Sequence, residues 1–280
     1  MTTIMDGKKL ADKIFNKLKA KIEKESFAPT LAVILANDNK ASEIYVNSKE
    51  KKALEIGIKS TVYKFNKSIT QEKLITLIKE LNTNPKVNAI LVQLPLFEHL
   101  NSQEIIELIE PKKDVDGFHP INAGRLCSNL TPYAIPCTPK GIVRLLKEYK
   151  IDLTGKDTVV IGRSNIVGKP AAMLLSNENA TVTIAHSKTK NLSELTKKAD
   201  IIVSATGCPR LIKSDMVKQG AVIVDVGIVK QNDKKLIGDV DFKNVQKKAS
   251  CITPVPGGVG PMTIACLMEN TYELFKLQNK

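Results

Sequence analysis

The sequence predicts an α/β protein of two domains, the second of them a Rossmann-like, doubly wound parallel sheet. Three observations predict this fold class. The chain has 280 residues, more than one typical core requires. Both halves alternate amphipathic helical segments with short β-branched runs, which is typical of parallel sheets. A proline-rich stretch between the halves marks a junction near Pro139, which gives domains 1–139 and 140–261.

The first half contains three predicted helices that alternate with three predicted strands. Helices are predicted where apolar residues recur every three or four positions, and strands where branched apolar residues form short runs. In chain order, the segments are a Lys-rich helix over 6–25, the run LAVILA, a helix over 41–56, the run STVYKF, a helix over 71–81 and the run AILVQLP.

The second half contains four further β-branched runs, each followed by a turn and a helical or polar stretch. The runs are TVVIG, TVTIAH, IIVSAT and AVIVDVG. Four such strands predict a nucleotide-binding type of doubly wound sheet. A last helix within 262–280 could pack back on the first domain.

Composition argues against several classes of protein. The net charge is +13, but the lysines are spread over amphipathic segments and no Arg- and aromatic-rich stretch is present, so we expect no nucleic-acid partner. The five cysteines form no C-x-x-C pair and no His-containing metal spacing, which predicts no metal site, no disulfide framework and a reducing, cytoplasmic location. No segment is apolar over the length that spans a bilayer, so we expect no membrane partner.

A glycine turn follows the first strand of the second half. The segment GRSNIVG runs from Gly162 to Gly168, between a strand and a helix. This is where doubly wound folds bind a cofactor pyrophosphate at a helix N-terminus. Ser164 replaces the second glycine of the usual G-x-G-x-x-G motif, so a turn required only for packing is the alternative.

The end of the next strand indicates which dinucleotide binds. NAD-specific folds usually place an acid there, whereas a ribose phosphate requires cationic and hydroxyl donors. Here the strand ends at His186, Ser187 and Lys188, no acid precedes Glu194, and Arg163 lies in the glycine turn. This arrangement favours NADP, although each of these residues could be an ordinary solvated one.

One predicted helix of the first half carries a lysine on a partly apolar stripe. Its members are Ser42, Tyr45, Lys49, Ala53 and Ile56, at spacings of three and four, with Val46 beside them. The amine of Lys49 either extends into water, or it is partly desolvated and suited to proton transfer near neutrality. Tyr45, one turn away, could lay its ring against a planar substrate.

Three other segments could contribute to a site. Gln93 ends a strand, and the crevice beyond strand C-termini is where open α/β sheets bind ligands. Asp114 and Asp116 precede a glycine, where they could form a simple turn or pair with two donors on the edge of a guanidine-like ring. The run TPVPGGVGPMT over 253–263 combines three prolines with three glycines, which predicts a rigid, ligand-contacting loop that is neither helix nor strand.

Several unusual strings, in order, resemble the bifunctional methylenetetrahydrofolate dehydrogenase/methenyltetrahydrofolate cyclohydrolase family. They are YVNSK, VQLPL, KDVDGFHPINAGRL, PCTPKGI, GRSNIVGKP, DVGI and TPVPGGVGPMT, and they extend almost from end to end of the chain. The resemblance implies NADP as cofactor, tetrahydrofolate derivatives as substrates bound in a cleft between two domains, and a homodimer. It also implies a place in the one-carbon metabolism that serves purine, methionine and histidine biosynthesis.

The resemblance also implies roles for individual residues. Lys49 matches the family's catalytic lysine, and Gln93 the glutamine that orients it. Tyr45 matches the tyrosine that packs on the folate, and Asp116 the carboxylate that binds the amino edge of the pterin. Ser42, Pro254 and Gly258 match segments that line the folate pocket, and Gly162, Arg163, Ser164, Ser187 and Ile228 match contacts to NADP.

Two alternatives and one departure accompany this resemblance. A two-domain NADP enzyme similar to shikimate dehydrogenase would share the architecture, and a basic nucleic-acid-binding protein with a vestigial nucleotide fold is the second alternative. The departure is in the loop before the lysine helix, where Asn37 and Lys40 stand in place of the family's usual glycine and proline.

Overall fold

The structure, a computed structural model, describes residues 1–230 and 235–279 and divides the chain into two compact units. The first-half unit comprises Lys13–Pro136 and Ile264–Lys280, and the second-half unit comprises Met1–Asp12 and Cys137–Thr263. Lys280, the last residue of the predicted 262–280 helix, lies outside the described residues. The first twelve residues therefore group with the second half of the sequence.

The first-half unit is built on a three-stranded parallel sheet, as the alternation of helices and strands predicts. The strands are β2 (Thr30–Leu35), β3 (Lys59–Lys64) and β4 (Ala89–Val92), in the order β3-β2-β4. The strands are parallel because a helix connects each to the next. β2 lies in the centre of the sheet. The chain passes from β2 to β3 on one side and then crosses to β4 on the other side. Such a switch point opens a crevice beyond the strand ends.

The helices of this unit begin at side chains that accept hydrogen bonds from the first turn. Asn39, Thr70, Asn101 and His119 each accept from a backbone N–H of the helix that follows. The helices are α2 (Lys40–Glu55), α3 (Gln71–Thr83), α4 (Ser102–Glu107) and α5 (Pro120–Cys127); α1 (Gly7–Ile22) and α10 (Val259–Gln278) each include residues of both units.

The second-half unit contains a six-stranded parallel sheet, two strands more than the sequence predicts. The four predicted strands are β5 (Asp157–Ile161), β6 (Thr181–Ala185), β7 (Ile201–Ser204) and β8 (Val222–Asp225), and the added ones are β1 (Thr3–Ile4) and β11 (Cys251–Ile252). The order is β1-β11-β8-β7-β5-β6. The added strands were missed because two residues carry no detectable periodicity. β5 has β6 on one side and β7 on the other, so the doubly wound switch point lies at its carboxyl end.

Short elements complete the second-half unit. β9 (Val229–Lys230) and β10 (Leu236–Ile237) form an antiparallel pair after β8. The helices are α6 (Cys137–Glu148), α7 (Gly168–Asn177), α8 (Leu192–Lys198) and α9 (Phe242–Val245). Each unit has its own core of buried Ile, Leu, Val and Ala side chains around its sheet.

The run over 253–263 is only partly a loop. The expectation that it is neither helix nor strand is correct up to Gly258 and wrong from Val259, where α10 begins. Pro261 is compatible with this because the first turn of a helix requires no N–H donor from its residues. Among the described residues, no helix combines the length and the apolar character that crossing a bilayer requires.

Candidate active site

The loop between β2 and α2 is fixed by asparagine side chains. Asn37 donates from Nδ2 to the carbonyl of Pro95 at 2.6 Å and accepts the N–H of Asn39 at 2.9 Å. Asn39 in turn accepts the N–H of Ala41 at 2.8 Å, which caps α2. The buried Asn37, one of the two departures from the family pattern, therefore joins this loop to the segment after β4 and gives α2 a defined start.

The residues of the predicted stripe on helix α2 differ in how deeply they are buried. Ser42, Val46 and Ala53 are buried, whereas Tyr45 is 40% exposed and Lys49 is half-buried. The buried residues anchor α2 on the sheet of the unit. Because Tyr45 and Lys49 are one turn apart, both project from the same side of the helix towards its surface.

The amine of Lys49 has a defined partner within its own unit. Its Nζ donates to Oε1 of Gln93 at 2.9 Å, and Gln93 donates from Nε2 to the carbonyl of Leu94 at 2.8 Å. The second bond fixes the amide so that its oxygen faces the lysine. The amine of Lys49 is thus half-buried and held in one direction by Gln93. It lies at the carboxyl edge of the sheet, because Gln93 directly follows β4.

The segment that carries Asp116 pairs with β4 two residues before this aspartate. The chain at Asp114 pairs in parallel with Ile90 of β4, and Ile90 donates to the carbonyl of Lys113 at 2.7 Å. Asp116 itself lies in the turn that follows this bridge, where the N–H of Gly117 donates to the carbonyl of Asp114 at 3.3 Å.

Asp114, the other candidate carboxylate, has an internal role. It is 2% exposed and accepts the N–H of His119 and Nδ2 of Asn122, both at 2.8 Å. Burial raises the pKa of its carboxyl above the usual value. Its carboxylate therefore joins this segment to the start of α5.

In the second-half unit, the turn after β5 has space only for glycine at two positions. Gly162 has φ +121°, and a Cβ there would lie 2.4 Å from the carbonyl oxygen of Ala205. A Cβ on Gly168 would lie 2.1 Å from the carbonyl oxygen of Gly162. The start of α7 is therefore packed directly against the turn, as in a phosphate-binding βα turn.

Ser164 supplies a hydroxyl where the usual motif has a glycine. Its Oγ accepts the N–H groups of Val167 and Gly168, both at 3.2 Å, and so caps the first turn of α7. Arg163 and Ser164 are exposed at the surface of the turn. The turn offers a guanidinium, a hydroxyl and a helix N-terminus, which suit an anionic group.

The end of β6 carries donors and no carboxylate. The N–H of His186 donates to Oγ1 of Thr189 at 2.8 Å, and Nδ1 of His186 accepts the N–H of Lys188 at 3.2 Å. This turn leaves Ser187 and Lys188 exposed at its tip. The predicted set of donors for a ribose phosphate is therefore accessible at this strand end.

The loop that contains Pro254 and Gly258 has little freedom. Gly257 has φ +105°, and its carbonyl accepts the N–H of Lys8 at 3.1 Å. A Cβ on Gly258 would lie 2.6 Å from the carbonyl oxygen of Pro254. Gly257 and Gly258 are thus each at a position where only glycine fits, and the rigidity of 253–258 stays a prediction.

Ile228, the last predicted cofactor contact, follows β8. It is 38% exposed, and its Cδ1 lies 3.4 Å from the position of a Cβ on Gly260.

Within the ranges that the structure describes, no cluster of three or more His, Cys, Asp and Glu side chains could hold a metal ion. Sequence reasoning missed two buried carboxylates nearby, Asp225 and Asp239. Asp225 opens the string DVGI quoted above, whereas Asp239 stands in none of those strings and has only a neighbouring glycine as a signal.

Two family models match the chain. Residues 5–116 match the catalytic domain of tetrahydrofolate dehydrogenase/cyclohydrolase, and residues 136–279 match the NAD(P)-binding domain of the same family. A similar curated protein is the bifunctional protein FolD of Streptococcus agalactiae, 53% identical over 98% of this chain and 97% of the relative.

Solved structures give the same result. The bifunctional FolD enzyme of Campylobacter jejuni aligns with a TM-score of 0.97 at 53% identity, over 99% of both chains. The FolD enzyme of Trypanosoma brucei, solved with NADP and an inhibitor, aligns with a TM-score of 0.95 at 35% identity, over 100% of this chain and 99% of that one. Shikimate dehydrogenase of Aquifex aeolicus shares only the fold, at 18% identity and a TM-score of 0.54.

Proposed function

The chain belongs to the tetrahydrofolate dehydrogenase/cyclohydrolase family, and on that premise we propose how its residues divide the work of two reactions. It is a bifunctional enzyme that oxidises methylenetetrahydrofolate to methenyltetrahydrofolate with NADP and then hydrolyses the product to formyltetrahydrofolate. The hydrogen bond between Lys49 and Gln93 is the observation that carries the residue assignment, because it supplies an oriented amine for the second reaction.

The residues that we assign to NADP follow the carboxyl ends of β5, β6 and β8 in the six-stranded sheet. NADP, when bound, accepts a hydride from the methylene carbon of the substrate. We assign the pyrophosphate to Gly162, Arg163 and Ser164, because this turn combines positive charge, a hydroxyl and a close helix N-terminus. We assign the ribose phosphate of NADP to Ser187 and the nicotinamide half to Ile228. This step requires no protein acid or base, and accurate positioning can lower its barrier by roughly 7 to 11 kcal/mol.

The cyclohydrolase step does require proton transfer. Water adds to the methenyl carbon, loses a proton, and the ring opens when one ring nitrogen takes up a proton. We assign these transfers to Lys49, whose amine is half-buried and held by Gln93.

The remaining folate contacts are assigned by residue chemistry. The ring of Tyr45 is partly exposed on α2 and suits packing on a planar pterin. Asp116 offers two oxygens to the amino edge of the ring, which presents adjacent donors. Ser42, Pro254 and Gly258 complete the proposed folate set.

The wider setting follows from the family resemblance. We propose a homodimer in the cytoplasm that supplies one-carbon units for purine, methionine and histidine biosynthesis. Light scattering from the purified protein measures the oligomeric state, and a mass of one chain, 30.7 kDa, would contradict the dimer.

One coupled assay tests the proposed function. Purified protein receives methylenetetrahydrofolate and NADP, and absorbance is followed at wavelengths that separate NADPH from the methenyl product. We expect NADPH to form in a folate-dependent way, and added methenyltetrahydrofolate to disappear without nucleotide. NADPH formation with shikimate instead of folate would favour the alternative dehydrogenase. Salt-sensitive binding to a generic DNA duplex, without folate turnover, would favour the nucleic-acid alternative.

A further inference from the structure

Two buried carboxylates that the proposed mechanism does not use lie at the carboxyl end of the six-stranded sheet. Asp225 ends β8 and is 3% exposed, and Asp239, which follows β10, is fully buried. Burying a carboxylate costs free energy unless hydrogen bonds compensate for the lost water. We therefore asked which contacts these two carboxylates make and what those contacts hold in place.

Asp225 binds the backbone at both ends of one segment. Its Oδ1 accepts the N–H of Gly227 at 3.1 Å and that of Asp239 at 2.9 Å, while its Oδ2 accepts the N–H of Val240 at 3.0 Å. The residues between these contacts include Ile228 and the β9–β10 pair. One carboxylate therefore closes the base of the segment that carries a proposed cofactor contact.

Asp239 ties the same segment to the end of β7. Its Oδ2 accepts three hydrogen bonds. The donors are the hydroxyl of Ser204 at 3.0 Å, the N–H of Thr206 at 2.7 Å and the hydroxyl of Thr206 at 2.8 Å. The N–H of Val226 also donates to the carbonyl of Ser204 at 2.8 Å. The ends of β7 and β8 are thus joined to each other and to the segment after β10.

Each carboxylate occupies the place that a side chain on a nearby glycine would fill. A Cβ on Gly227 would lie 2.0 Å from Oδ1 of Asp239, and a Cβ on Gly238 would lie 1.9 Å from Oδ2 of Asp225. Oδ1 of Asp239 is buried and has no hydrogen-bond partner among the residues that the structure describes. This oxygen lies at the position that a Cβ on Gly227 would take, so the loop and the carboxylate are closely packed there.

We propose that Asp225 and Asp239 are positioning residues for the dehydrogenase reaction, which hold the Val226–Ile228 loop so that Ile228 meets the nicotinamide half of NADP. The proposal rests on the assignment of Ile228 to the cofactor site. The edge beyond these strands is where a doubly wound sheet binds the second half of a dinucleotide. A contact residue on a short loop requires such support, because a displacement of about 1 Å can cost a hundredfold in rate.

If Asp225 and Asp239 only stabilised the fold, substituting one of them would lower both activities equally. If they position the Val226–Ile228 loop, the substitution should lower the dehydrogenase activity alone. The cyclohydrolase reaction uses added methenyltetrahydrofolate and no nucleotide, so the same preparation provides an internal reference. The test variant is Asp239→Ala, which removes the acceptor for Ser204 and Thr206. The variant Asp239→Asn keeps a carbonyl oxygen for these donors and should restore most of the loss. The matched control is Asp215→Asn, an exposed acid of the same unit.

We expect Asp239→Ala to raise the dissociation constant for NADPH, measured by nucleotide fluorescence, by about tenfold, the usual effect of losing a hydrogen bond to a charged acceptor. The ratio of cyclohydrolase to dehydrogenase activity should rise in proportion, while Asp215→Asn changes neither quantity. An unchanged dissociation constant in the folded variant, or a parallel fall of both activities, would overturn the proposal.

A milder variant keeps the test decisive if Asp239→Ala does not fold. Ser204→Ala removes one donor to Asp239 and should raise the dissociation constant for NADPH in the same direction, by a smaller factor. No rise in that constant would again overturn the proposal. Wild-type protein without any NADP-dependent oxidation of folate would instead contradict the proposed function, so the two failures are distinguishable.

Discussion

At the scale of the residue, the lysine of α2 is where sequence and structure agree in most detail. Helical spacing places Lys49 on a stripe with buried residues, and the structure adds its partner, Gln93. The spacing could not supply that contact, because Gln93 is 44 positions away along the chain. Likewise, the family resemblance singles out Asp116, and the structure adds that the neighbouring Asp114 is buried and holds His119 and Asn122.

The first residue-level prediction concerns Lys49→Met. We expect cyclohydrolase activity to fall by at least about 100-fold, because general acid–base catalysis typically contributes that much. Dehydrogenase activity should fall far less, because the hydride step requires no protein base. The two activities are measured separately, with methenyltetrahydrofolate or with methylenetetrahydrofolate and NADP as substrates. Lys51→Met, an exposed neighbour on α2, is the control, and equal loss of both activities would count against the assigned role.

The second residue-level prediction concerns pH. Burial, and then the nearby Asp239 carboxylate, raise the pKa of Asp225 to about 7 from its usual 3.8, against several hydrogen bonds that lower it. Between these two values the folded state binds more protons than the unfolded state. The contribution of Asp225 to the free energy of unfolding is therefore largest below pH 3.8, falls as pH rises to about 7, and is constant above.

Urea unfolding between these pH values measures the effect. In Asp239→Asn the neighbouring charge is absent, so the pKa of Asp225 should rise less and this loss of stability with pH should be smaller. We therefore expect the stability of the variant, relative to wild type, to improve as pH increases across the window. A pH-independent difference between the two proteins would contradict the coupling of the two carboxyls.

At the scale of the element, the β5–α7 turn shows how a weak motif becomes specific through packing. A glycine turn with a serine in the second glycine position has little predictive value alone. In the structure, Gly162 and Gly168 each face a backbone carbonyl, and Ser164 caps the helix. Local sequence predicts the turn, whereas the close approach of α7 depends on the sheet that both elements share.

The element-scale prediction concerns Gly168→Ala. The new methyl group would lie 2.1 Å from the carbonyl oxygen of Gly162, so the turn must shift. We expect a loss of roughly 1 to 3 kcal/mol in the free energy of unfolding, the usual cost of overpacking, together with weaker NADPH binding. Urea unfolding and nucleotide fluorescence measure the two effects. Gly124→Ala in α5 is the control, since a Cβ there meets nothing within 4 Å; equal effects of both substitutions would contradict the prediction.

At the scale of the whole molecule, the chain does not divide into two simple sequence halves. β1 pairs in parallel with β11, and Met5 is fully buried, so the N-terminus belongs to the second-half unit. Alternation of helices and strands predicts both sheets. It does not reveal that the N-terminal strand β1 joins the six-stranded sheet of the second-half unit. Two-residue strands obtain their stability from the pairing partner and carry almost no sequence signal.

The whole-molecule prediction is that Met5→Ala destabilises the protein by about 2 to 5 kcal/mol, the range for truncating a buried side chain. Thermal unfolding monitored with and without NADPH measures it. Because Met5 groups with the nucleotide-binding unit, we expect NADPH to restore part of the lost stability through ligand linkage. Lys9→Ala, at an exposed position of α1, should have little effect. Unchanged stability of Met5→Ala would contradict the grouping.

The sequence by itself determined the α/β class, the two sheets, the helix that carries Lys49 and the family, because these depend on local periodicity and on strings of adjacent residues. The tertiary structure alone decided which residues of distant segments meet. Examples are Asp225 with Asp239, and β1 with β11. The physical reason is that such contacts are selected by the packing of whole elements, and a linear pattern does not record the chain path that brings them together.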